Sequence, residues 1–164
     1  MQPRLSGITA CFVTAGLTGI SGAATTHSTG STTIQYAIAG KSYSQAQISG
    51  GATPTTGAVS GAAITLTASQ ARVVVWCLDA DDDIAIIEGD VVALDADTDT
   101  FKDGFGPEFP PIDLDVYCPI AYVIHLAAAA LSGTFTVGSS NWNTTGMTHT
   151  VVDIATLPHR PQTS

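Results

Sequence analysis

Arg72-Val-Val-Val-Trp-Cys-Leu78, Asp79-Ala-Asp-Asp-Asp83 and Ile84-Ala-Ile-Ile-Glu-Gly-Asp-Val-Val-Ala-Leu94 follow one another without a gap. Together they form the densest β-branched and apolar run in the chain, cut in two by an acidic loop. Val- and Ile-rich runs bounded by Asp clusters and Gly read as strands joined by a turn. Branched side chains lose rotamer freedom in a helix and pack well on a pleated surface. The run therefore predicts the core of a β-protein. Its second half admits two geometries. Gly89-Asp90 suits a two-residue turn between short paired strands; alternatively Gly89 is a bulge or kink in one long strand from Ile84 to Leu94. Leu-Asp-Ala-Asp occurs at both 78–81 and 94–97. A turn brings both acidic loops to one end of the sheet, whereas a long strand separates them by roughly 35 Å at the usual rise per residue. We expect the long strand.

A chain of 164 residues suffices for one core that buries about two thirds of the unfolded surface, without room for a second full domain. Charged residues make up only 12%, and Ala, Gly, Thr, Ser and Val are abundant. That is the composition of a sheet protein with small side chains. No apolar period near that of a helix is sustained, and the Ala-rich run from Ala127 to Leu131 is short. The expected fold is all-β: a single β-sandwich or jelly-roll-like domain over 34–157, preceded by an extended N-terminal arm over 1–33 and followed by an exposed tail over 158–164.

The net charge is −9, and thirteen of the fourteen acidic residues lie between Asp79 and Asp115, with Asp153 the exception. Such a balance repels phosphate backbones and anionic membrane surfaces, so neither nucleic acid nor membrane is expected as a partner. Cys11, Cys77 and Cys118 are odd in number, far apart and set in apolar sequence. They read as small buried hydrophobes, with a Cys77–Cys118 disulfide as the other option; no Cys-x-x-Cys supports zinc or redox chemistry. Gly7 to Leu17 is mildly apolar but interrupted by Thr and Gly, and Arg4 alone makes a thin charged region, so no signal peptide or membrane-spanning helix is expected.

Along the chain, Ile8 to Thr14 reads as a strand, and the Gly-, Ser- and Thr-rich stretch to Ser31 buries too little apolar area to hold itself. An arm lying on another subunit is one answer, with Ile8, Phe12, Leu17 and Ile20 as its contacts; a long loop folded on its own domain is the other. Thr32 to Ile48 carries a hairpin signal around Gly40-Lys41. Val116 to Leu126 is apolar on both alternating faces, which suits an interior strand, with a short buried helix from Pro119 as the competing reading. Thr148 to Ile154 supplies a last strand.

Tyr36-Ala-Ile-Ala-Gly-Lys-Ser-Tyr43, Ala52-Thr-Pro-Thr-Thr-Gly57, Cys118-Pro-Ile-Ala-Tyr-Val123, Phe135-Thr-Val-Gly-Ser-Ser140 and Val151-Val-Asp-Ile-Ala-Thr-Leu-Pro-His-Arg-Pro161 resemble a family of small tailed-bacteriophage virion proteins. The resemblance touches about three quarters of the chain, from Ile34 onward. It implies a β-rich structural protein of the virion, of the capsid decoration or cement type, whose partners are capsid or other virion proteins. Self-association as a closed homo-oligomer, for example a trimer, fits the symmetry that soluble assemblies adopt.

Chemistry-bearing motifs are few. His27, His125, His149 and His159 lack acidic neighbours at metal-site spacing, and no His-Glu-x-x-His, Gly-x-Ser-x-Gly or Walker loop occurs. The expectation is a protein without enzymatic activity and without a cofactor. Asp79, Asp81 and Asp83, and again Asp95, Asp97 and Asp99, have the alternate spacing of calcium loops. Ile84 and Thr100 stand where such a loop needs Gly, however, and neither loop has a Glu at its twelfth position. Solvated turn carboxylates are the stronger reading. Trp142, on a loop of Ser, Asn and Thr, is the aromatic expected to meet a partner. It also carries the alternative reading, a carbohydrate- or receptor-binding module of a phage tail fibre.

Overall fold

A computed structural model describes residues 7–156 and residue 158. Thirteen strands follow in order: β1 (Ala10–Cys11), β2 (Leu17–Thr18), β3 (Thr26–Thr29), β4 (Thr33–Ile38), β5 (Lys41–Ala46), β6 (Gly51–Ala52), β7 (Thr65–Leu66), β8 (Gln70–Leu78), β9 (Ile84–Glu88), β10 (Val92–Ala93), β11 (Cys118–Ala127), β12 (Phe135–Thr136) and β13 (Met147–Asp153). No helix occurs among the described residues, so the class is all-β, and the reading of a helix from Pro119 gives way to strand β11.

The opening stretch becomes the centre of the molecule. Strand β8 runs antiparallel to β11 on one side, and β11 to β13. Its other side carries β9 and then β10. Ile84 faces Leu78 and Glu88 faces Val74, then Val92 faces Ala71. Four steps along one strand match three along the other, so one extra residue lies between them, which is a β-bulge. Gly89 opens this interruption, its N–H donating to the Val73 carbonyl at 2.9 Å, and crowding requires glycine there: a Cβ would stand 2.5 Å from the Glu108 carbonyl oxygen and 2.9 Å from a Val73 methyl. The long strand with a kink at Gly89 is what forms, and the acidic loops stand at opposite ends of β8, about 27 Å apart at the usual rise per residue.

Both faces of this sheet are covered. Val74, Trp76 and Leu78 enter a core cluster with Ile34, Tyr36, Ile64, Phe135 and Trp142; Val73, Val75 and Cys77 enter a second with Ile87, Tyr122 and Ile124. Alternation along one strand explains the split, and coverage on both sides explains why β8 and β11 are almost uninterruptedly apolar. Phe109 and Ile112 of the Pro-rich connection pack against the second cluster. The remaining strands form three small sheets, in the orders β1-β4-β5, β2-β3-β6 and β12-β7. A two-sheet sandwich or jelly roll would need these to join into one facing sheet, and no pairing joins them among the described residues.

The extended arm is replaced by a segment folded on its own domain. Cys11 pairs with Tyr36 through β1 and β4, and β2 and β3 pair with each other. Further bonds run from Cys11 N–H to the Ala155 carbonyl, from Trp142 N–H to the Ala24 carbonyl and from Leu17 N–H to Asp153 Oδ1. Leu17 and Ile20, each 4% exposed, sit in the main core. Backbone ladders and a few buried anchors therefore do what the Gly- and Thr-rich sequence cannot do by apolar area alone. The first six residues of the expected arm, and the expected tail apart from Pro158, lie outside the described residues.

Candidate interaction surface

At the Leu78 end of the central sheet, Asp79 folds the acidic loop on itself. Its Oδ1 accepts from the Asp81 and Asp83 N–H groups at 2.9 and 3.0 Å. Asp82 takes a left-handed conformation, φ 65°, which Asp tolerates better than most residues. The Tyr36 hydroxyl, on β4, lies 2.6 Å from both the Asp79 carbonyl and Asp82 Oδ1 and donates its proton to this pair of acceptors. Burial, and then the adjacent Asp82 carboxylate, push the Tyr36 hydroxyl well above the ordinary tyrosine range. The acidic loop is thus tied to the β4–β5 hairpin, whose two turn residues, Ala39 (φ 49°) and Gly40 (φ 81°), have the paired positive φ of a tight hairpin turn.

The hairpin's surroundings are apolar and open. Ile8, Phe12, Leu114 and Val116 are 71, 59, 47 and 44% exposed, and with Val13 they make five of the eight exposed large hydrophobic residues among those described. Hydrogen bonds join their segments. The Thr9 hydroxyl donates to the Leu114 carbonyl at 2.6 Å and accepts from Ala39 N–H at 2.9 Å, and Gly40 N–H donates to the Ile8 carbonyl at 3.0 Å. Two shallow concavities share Tyr43. One, of about 350 Å³, is bordered by Phe12, Gln35, Ser42 and Ser44; the other, of about 410 Å³, by Lys41, Asp79, Asp81, Asp115 and Val116. Lys41 Nζ lies 4.9 Å from the centre of the Tyr43 ring, which in turn stacks on Tyr36 at 5.4 Å.

Of the residues expected to meet a partner, Ile8 and Phe12 lie on this surface, while Leu17, Ile20 and Trp142 belong to the core. Trp142 is corrected most sharply: it is 1% exposed, its Nε1–H donates to the Thr26 carbonyl at 2.8 Å, and its ring stacks on His125. The polar sequence around it caps a buried anchor and leaves no stacking face for a sugar. Leu114 and Val116 are exposed residues outside the expected contacts. Their signal is the alternation Ile112-Asp-Leu-Asp-Val116, apolar residues spaced between charges that keep the segment at the surface.

The acidic triplets do not assemble a cation site. Asp79 and Asp95 turn inward as acceptors of their own loops, Asp95 Oδ1 taking N–H bonds from Asp97 and Thr98 and the Thr98 hydroxyl. Those bonds hold the Asp95 carboxyl below its ordinary value. Asp99 Oδ1 is taken by Ala129 N–H at 2.9 Å. Among the described residues no three His, Cys, Asp or Glu side chains come together as metal ligands. Cys11, Cys77 and Cys118 are free and buried, and burial pushes the Cys118 thiol up to about 12. Cys77 and Cys118 enter different core clusters, so their side chains leave the sheet on opposite faces and no disulfide forms.

His125 and His149 form an interior pair instead, and His159 lies outside the described residues. His149 Nε2–H donates to the Trp142 carbonyl at 2.8 Å, so in the neutral ring Nδ1 is left to accept from His125 Nδ1–H at 2.7 Å. Burial lowers the pKa of both, His125 well below the usual range, with the facing His149 and Arg72 adding to the effect. His27, buried beside Trp76 with Nδ1 at 3.3 Å from the Thr53 hydroxyl, is lowered by burial too. Comparison with known proteins finds no matching family model, no similar curated protein and no similar solved structure.

Proposed function

We propose that this chain is a non-enzymatic structural subunit that binds other protein subunits, placed by the sequence resemblance in a tailed-bacteriophage particle as a capsid decoration or cement protein. The observation that carries the binding role is the strip of Ile8, Phe12, Leu114 and Val116, held open to solvent beside the hairpin. Exposed apolar side chains scattered singly need no explanation, but a joined group rimmed by polar residues marks an interaction site. The acidic loops keep the rest of the surface soluble and discourage unwanted edge pairing. Closed self-association, as a trimer for example, belongs to the same proposal and would use other surface. The tail-fibre alternative loses its aromatic platform with the burial of Trp142.

Cosedimentation with particles prepared without the protein tests this reading. Saturable binding by the natural chain, lost in a Phe12→Ser, Val116→Ser variant of unchanged stability, is expected. No cosedimentation of the natural chain would overturn it.

A further inference from the structure

Among the described residues, strand β5 is an open edge. In the sheet order β1-β4-β5 it pairs with β4 on one side only, over six residues from Lys41 to Ala46. Natural edges are guarded by Pro, bulges or several charges; β5 has no Pro, pairs with β4 in unbroken register and carries one lysine, at its first position. Its two faces meet different surroundings. By alternation Ser42 and Ser44 point to one face, with Gln35 and Phe12, and Lys41 and Tyr43 point to the other, toward Asp79, Asp81, Asp115 and Val116. The first face is neutral and part apolar. The second holds three carboxylates against one ammonium.

A strand added at this edge would continue the alternation, sending every second side chain to each face. Charge complementarity then fixes its composition. We propose that an extended segment of a partner protein, alternating basic and apolar residues, pairs with the free edge of β5, its Lys or Arg side chains beside Asp79, Asp81 and Asp115 and its apolar ones beside Phe12. The inference rests on the protein-binding reading and names the partner's chemistry and docking mode. A second copy fits poorly, because a chain of net charge −9 brings more carboxylates than cations to an acidic face.

The test is a nuclear magnetic resonance titration of the full isotope-labelled chain at physiological salt with three short synthetic peptides. One alternates Val and Lys, one alternates Val and Glu, and one has the first peptide's sequence with a central Val replaced by Pro. The Val-Lys peptide should shift amides of residues 41–46 and 8–13 and bind at least about tenfold tighter than the other two, since Glu reverses the charge and Pro removes a ladder donor. Asp81→Asn with Asp115→Asn should erase most of that preference while leaving the remaining spectrum in place. Equal binding by the Pro peptide, shifts confined to other surfaces, or self-association of the free chain through β5 would each overturn the proposal. Particle binding that depends on Phe12, found together with no peptide response at β5, would remove this inference and leave the subunit reading standing.

Discussion

The same four residues, Leu-Asp-Ala-Asp, begin the loops at the two ends of β8, and the ends have become different things. At 78–81 the loop is bound from outside its own sequence by the Tyr36 hydroxyl and borders the exposed strip and the open edge of β5. At 94–97 Asp95 is occupied by its own turn, Asp99 ties down Ala129, and Leu94 bridges to Phe101. Local sequence determines the turn, since both first aspartates accept from the N–H two residues on. What the turn serves depends on which strand passes beside it.

The comparison can be broken most severely through the strand that connects the ends. Trp76 is fully buried in mid-β8, and Trp76→Ala should cost about 3–5 kcal/mol in denaturant unfolding, with both ends lost together. Acid should act next, and unevenly. His125 lies opposite Arg72, toward the Gln70 end, with His149 beside it. Because burial lowers the folded-state pKa of His27, His125 and His149, the unfolded chain binds protons first as pH falls. Stability is fully present above the unfolded value of about 6.5 and declines below it, by up to about 1.4 kcal/mol per pH unit for each histidine. Denaturation midpoints between neutral and acid pH should show this, with amide exchange in β13 rising earliest.

A smaller effect is expected where the register is set. Gly89→Ala forces a methyl against the Glu108 carbonyl and Val73 and should cost about 1–3 kcal/mol, with shifts that spread into β10. Tyr36→Phe removes one hydroxyl and should cost about 1 kcal/mol. Its signature is faster amide exchange at 79–83 and none at 95–99. Asp97→Asn, in an exposed loop position whose carboxylate makes none of the contacts described above, should stay within about 0.5 kcal/mol of the parent.

The sequence made the central sheet legible because β8, β9 and β11 write burial directly as apolar runs. The bulge at Gly89 was legible as one of two options, and the register against β8 decides between them. The N-terminal segment was legible only as one of two options, an arm or a loop folded on its own domain: what decides is hydrogen bonds to the Ala155 carbonyl, the Trp142 N–H and the Asp153 carboxylate, partners more than a hundred residues away that leave no local pattern. Trp142 misled for the same reason, since a polar loop around an aromatic reads alike whether the ring points out or in. The interaction strip depends on hydrogen bonds that join the segment of Ile8 and Phe12, the β4–β5 turn and the segment of Leu114 and Val116, and only the topology brings these three together.

Lys41 and Lys102 are the chain's two lysines, one beside the strip and one in the loop at the opposite end, both exposed. Amine-reactive labelling of the free and the particle-bound protein, read residue by residue by mass spectrometry, therefore compares the two ends in one experiment. The account predicts that binding shields Lys41 and leaves Lys102 as reactive as in the free chain. Shielding of Lys102 with Lys41 still reactive would contradict it.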